Sequence, residues 1–330
     1  MKRAWLFLIV FPLIAADPSI DPGFDRLQSE IARLSKITDG VVGVSALHVE
    51  SGRRVKLDST DRFPMASTFK VPVAVQLLSR VDRGEITLDQ MIAIEPHDLH
   101  PGSGTLTPLF NKPGVMLSVR NIMELMLLIS DNSAADISLR LAGGPDAVTA
   151  KMHELGIEGI NVSRSTAYLI SDWNGATLPQ ESDWTPDVFR SANRAVPKDA
   201  RAAAHDRFNQ DPRDTAQPDA MEALLEKIYS RKLFKPETAD LLLDIMSRCK
   251  TGQARIKGML PPDTPVAHKT GSLGGAIDDV GIITLPGDAG HVVLAVFVKQ
   301  GSKEDVSERA IAQISRAIYD YFLFSAKKDQ

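Results

Sequence analysis

The stretch Met65–Leu78, MASTFKVPVAVQLL, sets Lys70 one helical turn after Ser67 at the mouth of an apolar run. Ser67 to Ser79 reads as a helix, with Pro72 early in it, where a missing N–H does least harm. The helix therefore enters the core at the point where a hydroxyl and an amine, three residues apart, share one face. An amine whose pKa is lowered by a dry site can take the hydroxyl proton and make the oxygen nucleophilic. The helix N-terminus offers N–H groups to a developing oxyanion. A serine cap followed by a lysine reaching to water is the plainer account of the same residues, and S-x-x-K alone does not choose between the two.

Outward from this helix, strand signals lie at both ends of the chain. Phe24, Leu27, Ile31 and Leu34 recur at helical spacing, so Asp21 to Ile37 is expected to be an amphipathic helix, broken by the TDG at Thr38 to Gly40. VVGVSALHVE, a turn at SGRR, and RVKLDS then read as a β-hairpin. SVRNIMELMLLI, Ser118 to Ile129, is a helix with Ser118 as its cap, and SDNSAADISLRLAGG continues helically until Gly143-Gly144. Ser163 to Asp211 reads as the least regular region, punctuated by Gly175, Pro179, Pro186 and Pro197. Helices resume at Met221 to Tyr229 and Pro236 to Ser247. Strands follow in TPVAHKTGS, DDVGIITLPG and HVVLAVFVKQ, and Lys303 to Phe322 is the last helix.

This order predicts two lobes, α/β plus all-α. An antiparallel sheet is built from N- and C-terminal strands and flanked by helices, with a helical lobe inserted. The expected division is 17–66 with 213–330 for the α/β lobe and 67–212 for the helical lobe, including an expanded loop around 163–211. A cleft falls between the lobes.

The 330 residues are 43% hydrophobic, enough for a core, and scattered Lys and Arg with a net charge of -4 argue against nucleic acid as a partner. Lys2 and Arg3, the apolar Ala4 to Ile14 and the small pair Ala15-Ala16 read as a removable secretory signal over residues 1–16, the alternative being an uncleaved anchor. The mature chain is expected to be secreted, in a periplasm, with no stable membrane insertion and as a monomer. Cys249 is the only cysteine, so no intramolecular disulfide forms, and a buried, unreactive thiol is the expectation for it. His97 and His100 stand three apart, but without HExxH or paired cysteines no metal is expected, nor any other cofactor.

Two further triplets sharpen the reading. SDN at Ser130, Asp131 and Asn132 falls between two helical segments, and KTG at Lys269, Thr270 and Gly271, followed by Ser272, falls on a strand. The three motifs in this order resemble those of the class A serine β-lactamases and the wider penicillin-recognising family, for which the same trio is known. The likeness extends through SVRNIMELMLLISDNSAADISLRLAGGPDAV, DPRDTAQPDAMEALL, TGQARIKGMLP and HKTGS with DDVGIITLP, most of the chain after residue 16. The resemblance implies a β-lactamase/transpeptidase-like fold and a β-lactam or peptidoglycan-like substrate. It makes Ser67 the nucleophile that becomes an acyl-ester, Lys70 its proton partner, and Ser130 the relay to the leaving nitrogen. It gives Asn132 to the substrate's side-chain amide and Asp131 to bracing the loop. It puts Lys269, Thr270 and Ser272 near the substrate carboxylate and Gly271 where substrate approaches the strand closely. The backbone N–H groups of Ser67 and Ser272 become the oxyanion hole.

One element of the family pattern is absent. E-x-x-L-N, the loop carboxylate that activates water against the acyl-ester, occurs nowhere, and SRSTAYLISDWNGATLPQESDW stands in its place. Asp172, Glu181 and Asp183 are candidate substitutes that spacing does not separate from solvated loop carboxylates, while Arg164 fits the loop-anchoring arginine. A missing general base costs about 10²–10⁴-fold. The readings left open are a β-lactamase with atypical or slow deacylation, a related D,D-peptidase or esterase acylated by β-lactams, and a non-catalytic penicillin-binding sensor. HDLHPGSGTL, His97 to Leu106, is expected to wall the cleft, and Trp173 and Trp184 to pack the loop onto the body or reach that cleft.

Overall fold

The computed structural model describes residues 21–326, so the segment read as a signal, residues 1–16, lies outside the described residues. Pro22–Leu34 (α1) is capped by the Asp21 carboxylate and turns Leu27, Ile31 and Leu34 inward; the expected helix ends three residues early in a 3-10 turn at Ser35–Ile37. Val41–His48 (β1) and Arg53–Leu57 (β2) form the expected hairpin. Next come Lys70–Asp82 (α2), Val119–Leu128 (α3), Asn132–Leu141 (α4) and Pro145–Glu154 (α5). Thr166–Asn174 (α6), Pro186–Ala195 (α7) and Lys198–Gln210 (α8) precede Pro218–Tyr229 (α9) and Pro236–Ser247 (α10). Val266–Leu273 (β3), Ala276–Thr284 (β4), His291–Lys299 (β5) and Glu304–Ala326 (α11) end the described chain.

The sheet runs β2-β1-β5-β4-β3 and is antiparallel throughout, so the two ends of the chain meet where β1 pairs with β5. Alternation in β5 explains why nearly the whole strand is apolar. Val293, Ala295 and Phe297 join the core shared with the inserted helices, while Val292, Leu294, Val296 and Val298 join the core under α1 and α11. Both faces of the strand are covered. Among the described residues no helix is long and apolar enough to cross a membrane.

The inserted segment is pinned at its neck. Phe63–Pro64 pairs with Thr215–Ala216, and the Met65 N–H donates to the Asp214 carbonyl at 3.0 Å. Arg164 closes the loop against the same place. Its Nε donates to Asp214 at 2.6 Å, and its Nη1 donates to Asp172 at 2.7 Å and Asp211 at 3.1 Å. Asp214 also accepts the N–H groups of Ser163 and Arg164, so a 50-residue excursion begins and ends at one carboxylate.

Inside that excursion the structure corrects the sequence reading. Ser163 to Asp211 is largely helical, because its punctuation caps helices instead of breaking them. Pro186 opens α7, Pro197 precedes α8, and Gly175 ends α6 in the left-handed conformation at φ 72°. Ala167, Trp184 and Phe189 give the loop a small core of its own. Replacing Arg164 with Ala leaves the buried carboxylate of Asp214 unpaired. The expected loss is about 3–5 kcal/mol in urea unfolding, with proteolytic cleavage appearing first within 166–211.

Candidate active site

Ser67 sits in the 3-10 turn Ala66–Phe69 that leads into α2. Ala66 before it has φ 40°, a left-handed conformation that costs an alanine energy and turns the chain sharply into the helix. Thr68 fastens the turn, its N–H and hydroxyl both donating to the Met65 carbonyl at 2.9 and 2.7 Å. Lys70 N donates back to the Ser67 carbonyl, which sets the two residues one turn apart, and among the described residues no hydrogen bond joins the Ser67 hydroxyl to either lysine amine.

Lys70 and Lys269 are both completely buried. Lys70 Nζ donates to the Ser130 carbonyl at 2.7 Å and to Asn132 Oδ1 at 3.0 Å, and lies 3.2 Å from Ser130 Oγ. Lys269 Nζ reaches the same hydroxyl at 3.0 Å and the Thr270 carbonyl at 2.7 Å. One serine hydroxyl thus lies between two amines. Burial, helped by the charge of Lys269, pushes the Lys70 amine well below the usual lysine range, against the opposing charges of Asp136 and Asp131. Burial lowers Lys269 to about 8. The site therefore holds two amines of lowered basicity, and Lys269 keeps its charge below about pH 8.

Ser130 is itself strained, at φ 58°, in the break between α3 and α4. Asp131 holds that break open by accepting the N–H groups of Thr105, Leu106 and Ala134 at 2.6, 2.8 and 2.9 Å. Ser103 donates to the Ser130 carbonyl and Asn132 Oδ1 at 2.7 and 3.0 Å. A Cβ on Gly102 would strike Asn132, and one on Gly104 would strike Asp131, which explains the glycines of the PGSG turn. That turn, in His97 to Leu106, is a buttress for the SDN segment.

On β3, Lys269 and Gly271 face the inserted helices while Thr270 and Ser272 alternate to the other side. A Cβ at Gly271 would lie 2.6 Å from the Met65 carbonyl and 3.1 Å from Ser67 N, so only glycine lets the strand lie against the nucleophile's turn. Thr270 Oγ1 is 2.6 Å from Thr251 Oγ1, and Ser272 Oγ accepts from Arg255 Nη2 at 2.6 Å. Sequence reasoning did not single out Arg255 or Thr251. Arg255 is 4% exposed, donates to the Gly271 and Asp278 carbonyls at 2.8 and 2.9 Å, and pairs with Glu304 and Glu308 of α11. Its importance comes from partners scattered along the chain, for which no local motif exists. Cys249 is buried, with Sγ 3.3 Å from Thr251 Oγ1.

Of the candidate water-activating carboxylates, Asp172 is engaged by arginines, and Glu181 and Asp183 are exposed. Asp172 is 2.7 Å from Arg164 and 3.6 Å from Arg213. Glu181 and Asp183 lie in an exposed 3-10 turn, with Glu181 beside Tyr168. Among the described residues no hydrogen bond or ion pair joins any of the three to Ser67, Lys70, Ser130 or Lys269. The carboxylates that act on Lys70 are Asp131 and Asp136. Asp136, one turn after Asn132, accepts the N–H groups of Thr166 and Ala167 at 2.6 and 3.0 Å and lies 2.9 Å from His100 Nε2. Burial works to raise its pKa, but His100 and the two N–H groups outweigh it and hold Asp136 ionised. Trp184 is buried with Phe189 in the loop, and Phe189 reaches His100. Trp173 stacks on His205 at 3.8 Å and packs against Gly274, just beyond Ser272. His100, Asp136, Tyr168 and Glu181 line a separate 550 Å³ cavity behind the loop.

Comparison with known proteins gives a consistent answer. The profile of the beta-lactamase enzyme family (Beta-lactamase2) matches residues 26–322. Beta-lactamase VEB-1 of Pseudomonas aeruginosa is 30% identical over 311 residues, 91% of each chain. The crystal structure of a beta-lactamase from Chitinophaga pinensis DSM 2588 superposes with a TM-score of 0.74 at 30% identity, covering 89% of this chain and 98% of its own. A mutant of PBP-A, seen as an acyl-enzyme complex with penicillin G, superposes with a TM-score of 0.71 at 25% identity, covering 90% and 96%.

The lysine pair sets a pH dependence. Lys269 loses its charge as pH rises through about 8, so acylation of Ser67 by an anionic reagent is expected to fall above that pH. Lys269→Arg should carry the fall to higher pH, and stopped-flow labelling between pH 6 and 10 checks both.

Proposed function

The chain belongs to the beta-lactamase enzyme family, and from that membership we propose that it opens the amide of β-lactams by acyl transfer to Ser67. The neutral Lys70 amine takes the Ser67 proton as Oγ bonds to the carbonyl carbon, and the oxyanion turns to the N–H groups of Ser67 and Ser272. The proton returns through Ser130 to the lactam nitrogen as the C–N bond breaks, leaving an ester on Ser67. Lys269, with the Thr270 and Ser272 hydroxyls, attracts the substrate carboxylate, and Asn132 takes the side-chain amide. The observation that carries the reading is the Ser130 hydroxyl held 3.2 Å from one buried amine and 3.0 Å from another.

Deacylation is where this chain departs from the family. With Asp172 held by Arg164, Glu181 and Asp183 in an exposed turn and no E-x-x-L-N, no loop carboxylate is positioned to activate water, which leaves Lys70 as the base beside the ester. We infer slow release of the ester, about 10²–10⁴-fold below an enzyme with a positioned base. The same observation favours a second reading, a D,D-peptidase or esterase-type hydrolase for which β-lactams are poor substrates. We further assign the lobes to 17–66 with 213–330 and 67–212, and export to a periplasm after removal of residues 1–16, on the charged and apolar pattern Lys2 to Ala16.

Intact-mass spectrometry after mixing with benzylpenicillin tests the proposal. A single adduct that persists for minutes and disappears in Ser67→Ala is expected. Absence of any adduct, or labelling undiminished in Ser67→Ala, would overturn it, and release within a turnover of seconds would overturn slow deacylation alone.

A further inference from the structure

Asp278 on β4 is completely buried, and its carboxyl takes no part in the chemistry described above. It is the cross-strand partner of Gly271, so its side chain leaves the sheet on the same face, toward the turn that carries Ser67. The place a Cβ would take at Gly271 is 3.0 Å from Asp278 Oδ2, 3.1 Å from Ser67 N and 2.6 Å from the Met65 carbonyl. Through that glycine the carboxyl looks onto the back of the Ser67 amide. Oδ1 accepts the Val298 N–H at 3.3 Å, whereas Oδ2 has no partner although it is buried.

The surroundings do not neutralise a negative charge there. Arg255 donates to the backbone carbonyls of Gly271 and Asp278, and its charge is shared with Glu304 and Glu308 of α11. Asp279 and His268 pair with each other on the opposite face of the sheet, with Ile277 and Val266. From β3 the charged group on the Asp278 face is Lys269, committed to Ser130 and Thr270, and from α2 it is Lys70. On β5 the partner of Asp278 is Phe297, with His291 and Lys299 at the strand ends. From α9 the buried acid is Glu222, bonded by Ser45. Burial therefore drives the Asp278 pKa far above the usual carboxylate range, against Arg255 and the Val298 N–H and with Asp279.

We propose that Asp278 is a positioning residue for the oxyanion site, filling the space behind the Ser67 amide as an uncharged acid whose ionisation opposes acyl transfer. An ionised carboxylate there would repel the oxyanion forming on the other side of the amide. At about 8 Å and an effective dielectric near 20, that repulsion corresponds to about 30-fold in rate. The inference rests on Ser67 being the acylated residue.

The test compares the second-order rate of labelling by a fluorescent penicillin in the parent chain and in Asp278→Asn, which is uncharged at every pH. Effects of Lys70 and Lys269 are common to both chains and cancel in the ratio. The expected ratio of variant to parent rises about 30-fold as the parent's Asp278 ionises, followed from pH 4 to the highest pH at which both chains stay folded. A ratio constant within about twofold, in chains that are both labelled, overturns this inference alone, while no labelling of the parent at any pH overturns the Ser67 reading and this inference with it. Thermal unfolding gives a second, activity-free readout. A folded-state pKa raised above the unfolded one makes the parent lose stability as pH rises from about 4, whereas the Asn chain does not. The Tm advantage of Asp278→Asn is expected to grow between pH 4 and pH 8, and an unchanged or reversed difference would show that Asp278 is not held neutral.

Discussion

Two lysine side chains are buried without a carboxylate bonded to either amine, and much of the molecule is organised around making that tolerable. An ammonium taken out of water costs several kcal/mol unless its hydrogens find acceptors. The acceptors here are the Ser130 and Thr270 carbonyls, Asn132 Oδ1 and the shared Ser130 hydroxyl. The Ser130 carbonyl turns toward the amine because the chain breaks between α3 and α4 with Ser130 in a left-handed conformation. Asp131 and the PGSG turn brace that break, so a surface turn thirty residues away in sequence supports the state of the amine. The residual cost appears as lowered basicity of the Lys70 amine.

The second constraint is closeness between β3 and the Ser67 turn. Gly271 permits it, and Asp278 and Arg255 fill the space around it from beneath and from the edge of the sheet. The strand thus brings its Lys269 to Ser130 and its backbone to Ser67 in one move, as alternation along a strand requires. Electrostatics then differ sharply over a few residues, with the lysines gathered at Ser130 and a buried acid, its pKa raised by burial, close to the Ser67 amide.

The loop from Arg164 to Asp214 is closed at a narrow neck, with helices of its own in between. Three aspartates converge on one guanidinium, and Asp136 takes the first two N–H groups of α6. These contacts hold the loop against α4 without bringing a carboxylate to the ester. The additional helices carry aromatic residues that hold the loop together, and Trp173 extends it over the turn after Ser272.

Periodicity and motif order in the sequence determined the sheet, the helix behind Ser67 and the three motifs, because each depends on neighbours within a few residues. The same local logic went astray over 163–211, where proline and glycine mark helix ends as readily as loops, and only contacts among Ala167, Trp184 and Phe189 decide between them. Where Asp172 points, what Arg255 holds and what Asp278 lies behind could not be read in sequence, since each is defined by partners that pairing of distant strands and closure of the loop bring together. Ser67, Lys70, Ser130 and Lys269 were singled out from residue types in order. The protonation states that make them work were not legible, because burial, which sets them, exists only once the chain has folded.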